Sequence, residues 1–282
     1  MRYGITIFAT DQVWRIDEVA VEVEARGFTS LWIPEHTHIP TSRRTPPPTG
    51  DAVLAEDYKR MLDPFVALAA VGARTSTIRL GTGISLIAQR EPIVTAKAIA
   101  TLDLLTEGRV ELGIGFGWNV DEMEHHGIDP ATRRDRTREH VGAMRALWTD
   151  EVAEYHGDHV DFAPSWCWPK PVQPGGPPVM LGSAPAPKAL AAVAAWCDGW
   201  LPIGGAGIRT ALPDLHVACE AVGRDPKSVR IVPFGTLFEP GKLDYYSSIG
   251  IEEVVLRVPA AGRDAVLAEL DRLAAETAPT AG

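Results

Sequence analysis

Hydrophobic positions along this chain alternate between two periods. Short apolar runs at residues 3–9, 30–35, 78–86, 109–115, 178–182, 199–203, 230–237 and 252–258 read as strands. Between them, apolar residues recur at helical spacing. Val13, Ile16, Val19, Ala20 and Val23 keep one face of a first helix, which Gly27 ends where a left-handed cap is wanted. Further helices are predicted over 64–74, 92–106, 136–148, 187–197, 208–222, 242–248 and 263–275, the fourth of the full set turning Val141, Met144, Leu147 and Trp148 inward. Pro92 suits the first turn of its helix. Eight strands alternating with helices from end to end predict an α/β protein built as a closed parallel (β/α)8 TIM barrel, with a doubly wound open sheet as the runner-up.

The pattern lapses twice. Residues 37–62, with Pro46-Pro47-Pro48, and 150–177, with Trp166-Cys167-Trp168, are too long to be plain loops. Excursions of that length in compact domains usually serve as lids or subunit contacts. One domain is expected over 1–276 with these two loops inserted, and 277–282 reads as a disordered tail.

Composition narrows the function classes. The 282 residues are 45% hydrophobic and 23% charged, ordinary for a globular protein. With 27 basic and 37 acidic residues the net charge is −10, which argues against a nucleic-acid footprint, because a polyanion needs clustered Lys and Arg. Arg43-Arg44 and Lys59-Arg60 remain as local basic spots, more simply read as solvated surface. Cys167, Cys197 and Cys219 are odd in number and far apart, so neither a disulfide framework nor a thiolate zinc site is suggested, and a reducing cytoplasm is expected. No apolar run approaches the roughly 18 residues of a membrane span, and the amino terminus enters a strand without a leader pattern.

In a barrel the chemistry gathers at the carboxyl ends of the strands. The run RVELGIGFGWNVDE (109–122) is the most informative: an apolar strand passes into Gly115-Phe116-Gly117, then Trp118, Asn119 and Glu122. Glycine alone reaches positive φ freely and leaves no Cβ in the way, so this reads as a cofactor mouth with Trp118 as an aromatic wall. After the second strand stand His36 and His38, and a histidine at such a mouth can exchange protons near neutral pH. His36-Thr37-His38 also looks like half of a metal site, but Leu181-Gly182-Ser183, Gly204-Gly205 and Arg257-Val258-Pro259 supply no further ligands, so no metal is expected. His125-His126 read as surface. Thr82, Gly83 and Ile84 offer backbone against which a flat ring could lie, although glycine in a barrel strand can equally serve tight packing. Gly182, Ser183 and Ala184 precede a helix near Pro187, which suits a phosphate, or merely a helix cap by Ser183. Neither a G-x-S-x-G elbow nor a P-loop is present.

These residues resemble the luciferase-like superfamily of flavin and deazaflavin oxidoreductases, and within it the F420-dependent luciferase-like enzymes. The resemblance is carried by residues 63–84, 101–122, 146–151, 169–173 and 194–205, in order along nearly the whole chain. It implies an enzyme with the deazaflavin coenzyme F420, or alternatively FMN, lying in the barrel mouth near a non-prolyl cis peptide at Gly83-Ile84. It further implies that His36 transfers a proton, that Gly115, Gly117, Trp118, Asn119 and Glu122 line the cofactor channel, and that Gly182 to Ala184 hold the phosphate. Glu35 stands where the family often has Asp, and Gly182-Ser183 where Gly-Gly is frequent. F420 carries an oligoglutamate tail, for which Arg43, Arg44, Lys59 and Arg60 are the expected basic patch. The activity implied is hydride transfer to or from a small organic substrate. The alternatives are an FMN-dependent monooxygenase fed by a partner reductase and a non-catalytic flavin-binding protein. Family habit implies a homodimer.

Overall fold

The computed structural model describes residues 1–46, 53–205 and 207–278. Its elements run β1 (Arg2–Thr6), α1 (Ile16–Ala25), β2 (Ser30–Ile33), α2 (Pro64–Gly72), β3 (Arg79–Ser85), α3 (Pro92–Leu105), β4 (Val110–Ile114), α4 (Val120–His125), α5 (Arg133–Thr149), β5 (Ala153–His156) and β6 (Asp161–Ser165). They continue with β7 (Val179–Ser183), α6 (Pro187–Trp196), β8 (Gly199–Pro202), α7 (Ile208–Ala221), β9 (Arg230–Ile231), β10 (Phe234–Thr236), α8 (Pro240–Ser248), β11 (Glu253–Arg257) and α9 (Arg263–Thr277). Two of the helices start on an acid-proline pair whose carboxylate caps the first turn. Asp63 accepts from the N–H groups of Phe65 and Val66 at 3.0 Å, and Glu91 from those of Ile93 and Val94 at 3.1 and 2.6 Å. In each a proline follows at the first helical position, where its missing N–H costs nothing.

Nine parallel strands form one curled sheet in the order β10-β11-β1-β2-β3-β4-β7-β8-β9. The expected strand over 230–237 is two strands. Pro233 has no N–H to donate and interrupts the ladder: β9 pairs with β8, β10 pairs with β11, and Val232 and Pro233 lie between. Val232 N still donates to Trp200 O at 2.9 Å, and Pro233 O accepts from Val255 N at 2.8 Å. The loop expected over 150–177 contains an antiparallel hairpin, β5 and β6, apart from the main sheet. Thr277, the first residue of the expected tail, closes α9 with its hydroxyl on Leu273 O at 2.7 Å; residues 279–282 lie outside the described set, as do Pro47 and Pro48.

A large apolar core fills the space between sheet and helices, and includes the predicted inward residues Ile16, Val19, Ala20, Val23, Val141, Met144, Leu147 and Trp148. A smaller cluster of Trp32, Met180, Leu201, Val232, Phe234 and Val255 comes from strands far apart in the sheet order, so the sheet curls around it. The amino-terminal strand ends carry buried charge. Glu111 pairs with Arg79 and Arg230, Arg230 also pairs with Glu253 at 3.2 Å, and Ser30 donates to Glu253 at 3.0 Å. Each of these buried carboxylates has its partner, as burial demands. Among the described residues, no helix is long and apolar enough to cross a membrane.

Candidate active site

The carboxyl ends of β2 and β4 bring the reactive groups together. His36 follows β2, and Glu122 sits on α4, the short helix that the chain enters straight after the Gly115-Phe116-Gly117 turn. Gly117 adopts φ of +79°, the left-handed conformation this turn requires. His36 Nδ1 lies 2.7 Å from Glu122 Oε2, both side chains buried. On the other side of the ring, Trp118 Nε1 donates to His36 Nε2 at 3.2 Å. An indole N–H can only donate, so Nε2 is the acceptor and the neutral imidazole carries its proton on Nδ1, donated to the Glu122 carboxylate. The site thus holds one oriented imidazole, its basic nitrogen toward Trp118.

Glu35, adjacent to His36, does not face a ligand. Its carboxylate accepts from Leu86 N at 2.8 Å, from Ser85 Oγ and from Arg90 Nε at 2.5 Å, tying the end of β2 to the end of β3. Arg90 also reaches Asp63 at 2.7 Å. Burial works against the charge of Arg90, yet Glu35 and Asp63 outweigh it and hold the guanidinium's pKa above its ordinary value.

The glycines behave differently from the expectation of open backbone. A Cβ on Gly115 would overlap Ile84 Cδ1, and a Cβ on Gly182 would lie 2.5 Å from Ile84 Cγ2. Both glycines therefore make room for the Ile84 side chain. Gly83 packs on Phe234 and Trp32 in the same way. Thr82 is fully buried, with its hydroxyl donated to Gly113 O at 2.7 Å, and offers a ring no donor. The Gly83-Ile84 peptide is cis, and the register between β3 and β4 shifts between Thr82 and Ser85. Ser183 caps no helix: Trp200 Nε1 donates to its Oγ at 3.2 Å, and α6 begins behind Ala186 with no side-chain cap. Ala184 is exposed.

Three of the four cations of the basic patch expected in the long second loop are ion-paired. Arg44 pairs with Asp121 at 3.0 Å and with Glu124; Arg60 pairs with Asp11 at 3.2 Å and Glu56 at 2.9 Å; Lys59 pairs with Glu56 at 2.7 Å. Arg43 donates to Pro40 O at 3.3 Å. His125 is exposed and His126 half-buried, and both touch the loop after β2: His38 Nε2 is 2.9 Å from His125 Nδ1, and Thr37 Oγ1 is 2.7 Å from His126 Nε2. Burial, and then the neighbouring His38, pull the His126 pKa down. Among the described residues no three His, Cys, Asp or Glu side chains are grouped to hold a metal ion.

Gln89, the arginines of α5 and Tyr58 escape the sequence reading of the site. Gln89, beside Gly117, and Asn119 are buried with both amide atoms unpartnered, and so is Oε1 of Glu122. The first turn of α5 carries Arg133, Arg134 and Arg136, with no ion pair among the described residues and with unpartnered buried nitrogens on all three. Arg134 stacks 4.4 Å over the Phe116 ring, which places this turn directly behind the Gly115-Phe116-Gly117 loop. Burial, then the like charge of Arg133, lower the Arg134 pKa. A signal was available: three arginines open a helix, where the macrodipole favours acids. Tyr58, on a 3₁₀ turn (Glu56–Lys59) of the long loop, stands 5.6 Å from the His36 ring, and its position was not legible from period or motif.

Residues 2–238 match the luciferase-like monooxygenase family. The chain is 43% identical over 281 residues, 99% of both chains, to an uncharacterised protein of Mycobacterium tuberculosis. It is 31% identical over 221 residues to the F420-dependent glucose-6-phosphate dehydrogenase of Kineococcus radiotolerans, covering 74% of this chain and 59% of that one. Its fold is similar to the crystal structure of monooxygenase RslO1 from Streptomyces bottropensis, with a TM-score of 0.79 over the whole of both chains at 20% identity. A match over most of the length and a full-length relative at this identity make the chain a member of the luciferase-like monooxygenase family, and an oxidoreductase.

Proposed function

We propose that this oxidoreductase moves a hydride between coenzyme F420 and the electrophilic carbon of a small organic substrate, with His36 exchanging the accompanying proton. The observation that carries the reading is the buried His36–Glu122 pair at the mouth of the curled sheet, with Nδ1 fixed and Nε2 left as the exchanging atom. The residues around it fit an organic cofactor with a polar ring edge and an anionic tail. The unpartnered amides of Gln89 and Asn119 are the ring-edge donors and acceptors, since buried amides are costly unless bonded. Arg133, Arg134 and Arg136 would hold the phosphate or oligoglutamate, in place of Arg43, Arg44, Lys59 and Arg60. Of the other residues implied by the family resemblance, Gly117, Trp118 and Asn119 keep their place at the cofactor, while Ser183 and Ala184 keep theirs near the phosphate. When bound, F420 supplies or accepts the hydride. Glu122 orients the imidazole and faces the positive charge it gains on taking a second proton.

We further infer that the sheet closes into the eight-stranded barrel, because its two outermost strands, β9 and β10, are consecutive in the chain and Ile203, just past β8, bridges to Phe234 of β10. The apolar residues Val94 and Leu105 on α3 and Trp166 and Trp168 after the hairpin are all exposed, which suits a homodimer seam.

The test is a titration of the protein with F420 and separately with FMN, followed by cofactor fluorescence. Tight F420 binding with weak FMN binding is expected. FMN preference would point to oxygen chemistry and a reductase partner, and binding of neither would overturn the reading. In the F420-loaded enzyme, His36→Ala should lower turnover at least about a hundredfold; near-normal turnover would remove the proton-transfer role.

A further inference from the structure

We propose that Tyr58 and Trp118 form an aromatic floor beside His36 that selects an uncharged substrate carrying a flat or cyclic apolar group next to its reacting carbonyl or carbinol carbon. The proposal rests on the reading of His36 as the proton-exchanging group, and it goes beyond that reading in naming the substrate's chemistry.

Three rings meet around the histidine. Tyr58 and Trp118 each stand 5.6 Å from the His36 ring and 6.2 Å from one another, and Phe8 backs Tyr58 at 5.3 Å. Phe8, Tyr58 and Trp118 are only half-buried, whereas His36 beneath them is 8% exposed. Half-buried aromatic faces at a reactive group are surface that an apolar ligand ring covers with gain, by area and by edge or offset stacking. Trp118 comes from the β4 side and Tyr58 from the long loop after β2, so the floor exists only because that loop folds back to the mouth.

Charge on the same side argues against an anionic substrate. The loop of residues 37–62 contains Arg43, Arg44, Lys59 and Arg60. The last three are each met by carboxylates, and Arg43 donates to Pro40 O through one nitrogen while its Nε is buried without a partner. Glu122 adds negative charge beneath the imidazole, while Glu35, next to it in the chain, is matched by Arg90. A phosphate arriving here would meet carboxylates and matched pairs. An alcohol O–H donates to His36 Nε2 once the Trp118 indole, now bonded there, gives way, and a ketone oxygen accepts from Nε2 when the imidazole carries its second proton.

Isothermal titration of the protein with acetone, acetophenone and glucose 6-phosphate, with and without F420, tests this. Acetophenone should bind roughly tenfold or more tighter than acetone, with glucose 6-phosphate weakest. Tyr58→Leu should remove most of that advantage and Tyr58→Phe should keep it, with F420 affinity unchanged in both. Equal binding of acetone and acetophenone, a preference for glucose 6-phosphate, or an unchanged gap in Tyr58→Leu would overturn the proposal. Failure of the parent reading looks different: F420 does not bind, or His36→Ala turns over normally, while the ring preference in the absence of cofactor survives.

Discussion

Gly115→Ala separates two explanations of the most telling glycine in the chain. If Gly115 is there to make room for Ile84, the cost is steric and internal. The new Cβ overlaps Ile84 Cδ1 and lies 3.3 Å from Cγ1, where ordinary contact begins at 3.4 Å. The same side chain lies against Gly182, where a Cβ would stand 2.5 Å from its Cγ2 and 3.0 Å from its Cδ1, so Ile84 meets either substitution with a different atom foremost. Overpacking of this kind costs about 1–3 kcal/mol, a fall in Tm of roughly 2–8 °C for a chain of this size. Ile84→Val removes Cδ1 but keeps Cγ2. It should therefore rescue Gly115→Ala and fail to rescue Gly182→Ala, where Cγ2 is the closest atom. The assay is a pair of double-mutant cycles by urea denaturation, with F420 titrations of every variant. If Gly115→Ala left stability unchanged and abolished cofactor binding whether or not Ile84 was trimmed, the packing explanation would be refuted and the glycine would belong to the ligand.

Glu122→Gln keeps the shape but removes the charge facing the imidazolium; kcat should fall about ten- to a hundredfold, with F420 affinity within about twofold of wild type, and a large loss of affinity would instead make Glu122 a cofactor contact. Arg134→Ala should weaken F420 roughly tenfold and flatten the salt dependence of its binding, while an unchanged salt slope would place the anionic tail elsewhere. His140 is buried, donates through Nδ1 to Ile87 O at 3.0 Å and has its pKa lowered, chiefly by burial. The unfolded chain then takes up a proton that the folded chain resists, so stability is full above the ordinary value of 6.5 and is lost as pH falls toward and through the lowered folded value. Urea midpoints at about pH 7.5 and pH 5 should show a smaller acid loss in His140→Gln than in wild type, and equal losses would assign the acid sensitivity to other groups.

Period and punctuation were enough to find seven of the eight expected strands and their order of alternation with helices, because a strand buried on both faces reads as an unbroken apolar run. The exception, 230–237, contains Pro233, whose effect on a ladder is foreseeable but whose two partners, β8 and β11, are not. The hairpin over Ala153–Ser165 was hidden because its strands are largely exposed and polar, leaving little apolar alternation to detect. At the site, His36, Trp118, Asn119 and Glu122 were legible from their position at strand ends. What was not legible is which space a glycine leaves for whom. Gly115 and Gly182 lie 67 residues apart in sequence and serve one side chain, Ile84, and only the fold shows that they do. The same holds for Tyr58 and for the arginines of α5, which reach the site through loop folding and helix placement rather than through local spacing.

The two ends of the curled sheet treat buried polarity in opposite ways, and the contrast locates function independently of any motif. At the amino-terminal ends of the strands, Glu111, Glu253, Arg79, Arg230 and Ser30 form a connected network in which each charge meets its opposite. Such a network is demanding, since removing one member leaves its partner buried and uncompensated. It therefore reads as part of the frame. At the carboxyl ends, Gln89, Asn119 and one oxygen of Glu122 are as deeply enclosed, yet have no partner within the described protein, and three arginines behind Phe116 have no carboxylate. A chain that satisfies its buried carboxylates so fully at one end has no structural reason to leave amides and guanidinium nitrogens wanting at the other. On the function proposed above, the deficit is a ligand's share of the hydrogen bonds. Its composition, neutral amides close to His36 and cations beyond Phe116, matches a molecule with a polar heterocyclic edge and an anionic tail.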